Sequence, residues 1–193
     1  MKKLKKSKLA IIIAVSAVIV IILGSIISGY NSLIEKHEAI ENAQAQVATQ
    51  LQRRADLIPN FVATVQGYTD YEQSTYQAVT EARAAVTRAG SVEAQQKASE
   101  QLDSAIDVWV NAVTEAYPDL KANTQYTALT DELAGTENRI ATARRDYNEV
   151  AKKYNTSIRK FPSSILASMF GFEKADYFEN DADASEVPEV SFK

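Results

Sequence analysis

Twenty-one consecutive residues, Leu9 to Gly29, carry neither a charge nor a proline, and five lysines (Lys2, Lys3, Lys5, Lys6, Lys8) stand just before them. A helix of about 20 apolar residues, rising 1.5 Å each, spans the roughly 30 Å hydrocarbon core of a bilayer. Ile11, Ile12, Ile13, Val15, Val18, Ile19, Val20, Ile21, Ile22 and Leu23 put apolar side chains on every face. Such a helix has no polar side to turn toward water, so the run predicts a transmembrane helix and the bilayer becomes the first expected partner. A secretory signal has a shorter apolar region, about 7 to 15 residues, ending in a small-residue cleavage site. Here the run closes with Ser25-Ile26-Ile27-Ser28-Gly29, which reads as an uncleaved anchor.

Lys and Arg are enriched on the cytoplasmic flanks of membrane helices, and the next charged residue after the lysine block is Glu35. The expectation is a single-pass protein of the cell membrane, with its N-terminus cytoplasmic and its body extracytoplasmic. The organisation follows: residues 1–8 form a basic flank, 9–29 the anchor, 30–179 a helical body and 180–193 an acidic flexible tail. Past the anchor, 16 basic residues face 25 acidic ones, a net charge of −9. That balance argues against nucleic acid as a partner, which calls for a clustered basic footprint. There is no cysteine, which excludes disulfides, thiolate metal sites and a lipid-modified cysteine anchor.

From Tyr30 to Tyr117 only Pro59, Gly67 and Gly90 interrupt a sequence rich in Ala, Gln, Glu and Arg, so local propensity favours helix throughout. Leu33, Ile40, Val47, Leu51 and Ile58 recur at intervals of seven or four along a first segment, residues 30–58, as one stripe of a helix. Pro59 is expected to end it in a turn, a kink in one continuous helix being the alternative, and to open a second helix, residues 59–89, with Phe61, Val65, Tyr68, Tyr76, Val79, Ala82 and Val86 inward. Gly90 is expected to stop that helix in a left-handed conformation, and Ser91 to cap a third. The third carries Ala98, Leu102, Ile106, Trp109, Val113 and Tyr117 inward and is closed by Pro118. In the fourth, Leu133, Ile140, Tyr147, Tyr154 and Phe161 repeat every seven residues, a seam for partner helices. Four such segments with short connections predict an all-α fold: the N-terminal transmembrane helix followed by an antiparallel four-helix bundle. A coiled coil between chains is the alternative use of the same seam, and the oligomeric state stays open.

The motifs Glu41-Asn42-Ala43, Arg53-Arg54-Ala55-Asp56-Leu57-Ile58-Pro59-Asn60, Thr80-Glu81-Ala82-Arg83, Tyr117-Pro118-Asp119-Leu120, Thr136-Glu137-Asn138-Arg139, Tyr147-Asn148, Tyr154-Asn155 and Phe170-Gly171-Phe172 stand in order along the body. Together with the anchor they resemble the LemA family. The resemblance implies a bacterial membrane protein with one N-terminal span and an all-helical body. It implies no agreed enzymatic activity.

No residues are assigned to catalysis, cofactor binding or metal binding, and no cofactor is expected. His37 is the only histidine, and a zinc site needs three or four converging ligands. Glu35, Glu38 and Glu41 share a helix face, which reads as a solvated acidic surface. In Arg53-Arg54 and Arg144-Arg145 adjacent side chains diverge by about 100°. One arginine of each pair is therefore expected inside, beside a carboxylate such as Asp56, Glu81 or Glu137, as a structural ion pair ahead of an anion site. Basic residues dominate from Arg139 to Lys160. The apolar residues that follow, Ile165, Leu166, Met169, Phe170 and Phe172, are candidates for a membrane or partner contact, the alternative being packing against the base of the bundle. Val190 and Phe192, alternating in the tail, are candidates for adding to a partner's sheet edge. The functional expectation is a noncatalytic scaffold that recruits an unidentified envelope protein. The alternative is a partner-dependent envelope enzyme or an accessory subunit of one.

Overall fold

A computed structural model describes residues 2–66 and 73–179. Among them the chain is all α and has no strand: α1 runs Lys2–Gln66, α2 Gln73–Arg88, α3 Val92–Ala116, α4 Thr124–Arg159 and α5 Ser163–Phe170, with a 3₁₀ turn at Pro118–Ala122 between α3 and α4. Two compact units are distinguished, Met1–Glu41 with Val150–Ala175, and Asn42–Glu149 with Asp176–Lys193.

In the second unit the predicted inward residues form the core: Val47, Leu51, Ile58, Phe61, Val65, Val79, Ala82, Val86, Leu102, Ile106, Trp109, Val113, Leu133, Ile140 and Tyr147 are all buried. Phe61 of α1 joins three elements. Its ring lies edge-on to Trp109 of α3, centroids 5.0 Å apart, and 5.3 Å from Tyr126 of α4, whose hydroxyl is 2.9 Å from that of Thr114. Pairs of this kind stabilise beyond their buried area. Ser91 caps α3 as expected, its hydroxyl accepting from the Ala94 amide at 3.2 Å. In the first unit Leu33, Leu166 and Ala167 make a small core, covered by Ile26, Ile158 and Phe172.

Three expectations are corrected. Pro59 makes no turn: α1 continues through it to Gln66, and α2 begins only at Gln73. A proline inside a helix leaves the carbonyl four residues earlier without its donor, here Ala55, and Arg83 Nε of α2 donates to that oxygen at 3.1 Å. The replacement donor removes the orphaned acceptor that would otherwise penalise the unbroken helix. Gly90 follows α2, but Gly171 is the residue with positive φ (74°) among those described, at the end of α5. Phe161 leaves the heptad seam because α4 stops at Arg159, and its side chain is 82% exposed. Tyr68 lies outside the described residues.

Candidate functional site

Three constellations hold the polar and apolar groups of interest. The first is a charged cluster inside the second unit. Adjacency on α1 sends Arg54 inward, 4% exposed, and leaves Arg53 outside. Arg54 Nη2 lies 3.0 Å from Asp103 Oδ1 of α3, and its Nη1 lies 3.8 Å from Glu137 Oε2 of α4. Ser99 donates to the other Asp103 oxygen at 3.4 Å. Burial pushes the Asp103 carboxyl above the usual carboxylate range. Arg54 pulls it down, Glu137 pushes it up, and Arg144 and the Ser99 hydroxyl pull it down again. The Nε and Nη1 of Arg54 and Oδ1 of Asp103 make no well-aligned hydrogen bond, so the contact is an ion pair held by proximity. Sequence reasoning anticipated an inward arginine and Glu137 but missed Asp103, which no spacing rule ties to Arg54 across two helices. Of the other named carboxylates, Asp56 pairs with Arg83 at 3.7 Å and Glu81 accepts from Gln77. Arg53 and Arg139 share Glu132, at 2.9 and 2.7 Å.

The second constellation holds the chain that follows α5, where residues 172–179 have no regular secondary structure. In the first unit Asn155 grips Ala175 with both ends of its amide: Nδ2 donates to the Ala175 carbonyl at 2.8 Å, and Oδ1 accepts from the Ala175 amide at 2.9 Å. Its neighbour Tyr154 donates to the Glu173 carbonyl at 2.9 Å. In the second unit Asn148 treats Phe178 the same way, at 2.8 and 2.9 Å, and Tyr147 donates to the Asp176 carbonyl at 3.0 Å. Each Tyr-Asn dyad therefore clamps residue k through Asn and residue k−2 through Tyr. Burial raises both phenols above their ordinary range, assisted by Asp176 and Tyr177 at Tyr147 and by Glu173 at Tyr154. Phe178 is buried, edge-on to Tyr147 at 5.0 Å and with the Arg144 guanidinium 5.6 Å from its ring. Gln96 accepts from the Glu179 amide at 2.9 Å. The dyads stand out in the sequence as a heptad seam and as motifs, but spacing alone does not show what their amides hold.

The third is α5 in the first unit. The sequence candidates divide there: Leu166 is buried and Phe172 half-buried, whereas Ile165, Met169 and Phe170 are 58%, 60% and 49% exposed. Val190 and Phe192 lie outside the described residues. His37 packs its ring 5.8 Å from Tyr154 and 6.3 Å from Phe172, with Nε2 3.5 Å from Glu41. Among the described residues no three His, Cys, Asp or Glu side chains group as metal ligands.

Residues 43–192 match the sequence profile of the LemA family. The chain is 25% identical over 198 residues to magnetosome protein MamQ 2 of Paramagnetospirillum magneticum, covering 90% of this chain and 72% of the relative. It is 26% identical over 163 residues to protein LemA of Metamycoplasma hominis, covering 83% and 71%. Magnetosome protein MamQ of Magnetospirillum gryphiswaldense is 22% identical over 216 residues, covering 98% and 79%. With its body matched nearly throughout, the chain belongs to the LemA family.

Proposed function

We infer that this is a noncatalytic, membrane-anchored holding protein of the bacterial envelope. Residues 9–29 cross the membrane once, the lysine block stays in the cytoplasm, and the body works outside by binding another envelope protein. One observation carries the anchoring: the ten large apolar side chains from Ile11 to Leu23 are 51–67% exposed, in a stretch of α1 whose mean hydropathy reaches 3.0 and of which the rest of the chain buries none. At about 1.5 to 3 kcal/mol per fully buried side chain, keeping them in water forgoes on the order of 10 kcal/mol even with partial cover. Lipid removes that cost. The holding role is supported by how the polar groups are used: the two Tyr-Asn dyads hold backbone, and Arg54 and Asp103 neutralise each other.

Alkaline carbonate washing tests the anchor, with retention in the membrane pellet expected and release overturning it. The runner-up, a partner-dependent enzyme, draws on Asp103, a partly buried carboxyl with a raised proton affinity, since such groups are enriched at reactive sites. Replacing the pair with apolar side chains (Arg54→Met with Asp103→Leu) separates the readings. Complementation of a deletion strain by a variant of unchanged helicity supports holding. Loss of complementation with helicity and melting intact supports catalysis.

A further inference from the structure

α5 buries Leu166 and Ala167 and leaves a row of large apolar side chains uncovered. Ile165 and Met169, four residues apart, share a helix face, with Phe170 beside them and Phe161 before them. Phe161 is 82% exposed, more than any other large apolar side chain described, those of the apolar run included. The buried side of α5 fixes where this row lies. Leu166 shares a small core with Leu33, against which Ile26 packs, and a Cβ added to Gly29 would stand 2.7 Å from Leu166 Cδ1. The ring of Phe170 lies 4.7 Å from that of Tyr30. Ile26, Gly29 and Tyr30 are the last turn of the apolar run and its first residue beyond. If residues 9–29 span the bilayer, as proposed above and as this inference requires, α5 is held within about one helical turn, roughly 5.4 Å, of where the span leaves the hydrocarbon. Exposed Arg159 and Lys160 immediately precede the row.

We propose that Phe161, Ile165, Met169 and Phe170 form a lipid-facing foot, seated in the headgroup and upper acyl region of the leaflet from which α1 emerges, with Arg159 and Lys160 on anionic headgroups. Apolar side chains beside cations are the chemistry of an interfacial helix. The span supplies the attachment, and the foot sets how the first unit meets the surface.

The chain lacks cysteine, so single substitutions give unique labelling sites. The full chain carrying Ile165→Cys, Met169→Cys, Val18→Cys or Val108→Cys, each labelled with an environment-sensitive dye and matched to the parent in helicity, is reconstituted in vesicles of phosphatidylcholine and phosphatidylglycerol. Nitroxides are placed on the lipid near the glycerol or near the chain terminus. The foot predicts several-fold stronger quenching by the shallow nitroxide at Ile165→Cys and Met169→Cys, deep quenching at Val18→Cys, and none at Val108→Cys. Deep quenching at Val18→Cys with unquenched, water-exposed dyes at both α5 positions overturns the foot and leaves the span standing. Equal quenching at Val108→Cys also overturns it, because insertion would then be unspecific. Dyes shielded from water but not quenched by lipid, with shielding lost as protein is diluted in lipid, make a second copy of the chain the occupant and overturn it too. An unquenched Val18→Cys removes the span, and the foot with it.

Discussion

Arg83 donates through Nε to the carbonyl of Ala55, the acceptor that Pro59 leaves without its helical donor. Ala55 is fully buried, so an arginine on α2 completes the backbone hydrogen bonding of α1. The predicted signature is coupling. Arg83→Met should cost about 1 to 3 kcal/mol, the penalty for orphaning a buried carbonyl. In a Pro59→Ala background, where the amide is restored, the same change should cost a few tenths. Urea unfolding of the two single variants and the double variant measures this, and equal costs in both backgrounds would contradict it.

Asn155 is 5% exposed and spends both ends of its amide on Ala175. Asn155→Ala should destabilise by about 1 to 3 kcal/mol, and Tyr154→Phe, which loses one hydroxyl donor, by about 1 kcal/mol. The more selective readout is amide exchange. The Ala175 amide should lose protection in Asn155→Ala and the Phe178 amide in Asn148→Ala, while amides in the middle of α3 keep theirs.

The raised Asp103 carboxyl fixes the sign of a pH effect. A carboxyl that titrates higher in the folded than in the unfolded chain keeps its proton longer when folded, so stability falls as pH rises from the ordinary carboxylate value near 4 through the folded value. Arg54 opposes that rise. In Arg54→Met the opposition is gone, Asp103 titrates higher still, and the stability deficit against the parent should widen as pH rises above the ordinary carboxylate value near 4. Urea midpoints measured over that rise in pH would show it. A deficit independent of pH would mean that Asp103 does not feel Arg54.

Gly29 admits Leu166 at a distance no Cβ tolerates. Gly29→Ala should be nearly neutral, because the end of a leucine can shift by tenths of an ångström. Gly29→Ile should displace α5 and expose Leu166, read as faster proteolysis between Lys160 and Lys174 in detergent.

The helices and most of their inward faces were legible because burial imposes a period of 3.6 on the sequence. Leu33, Val47, Leu102, Val113, Leu133 and Tyr147 all stand where spacing placed them. Local rules failed where a distant residue overrode them. Pro59 reads as a break until Arg83 is seen to supply the missing donor, and Phe161 reads as a seam position until α4 ends before it. In the charged cluster an inward arginine could be inferred from Arg53-Arg54, but its partner Asp103 lies 49 positions along the chain from it. The Tyr-Asn dyads were conspicuous as a repeat. Their meaning needed the segment that they hold, and a segment without hydrophobic periodicity gives no sequence signal of where it lies.

The proposed topology is a single crossing that leaves the body outside. Spheroplasts carrying Ser7→Cys or Val108→Cys, treated with a membrane-impermeant maleimide, test it most directly. Labelling at Val108→Cys in intact spheroplasts, with Ser7→Cys reacting only after the membrane is opened, is the predicted result. Labelling of Ser7→Cys in intact spheroplasts while Val108→Cys stays protected would contradict it.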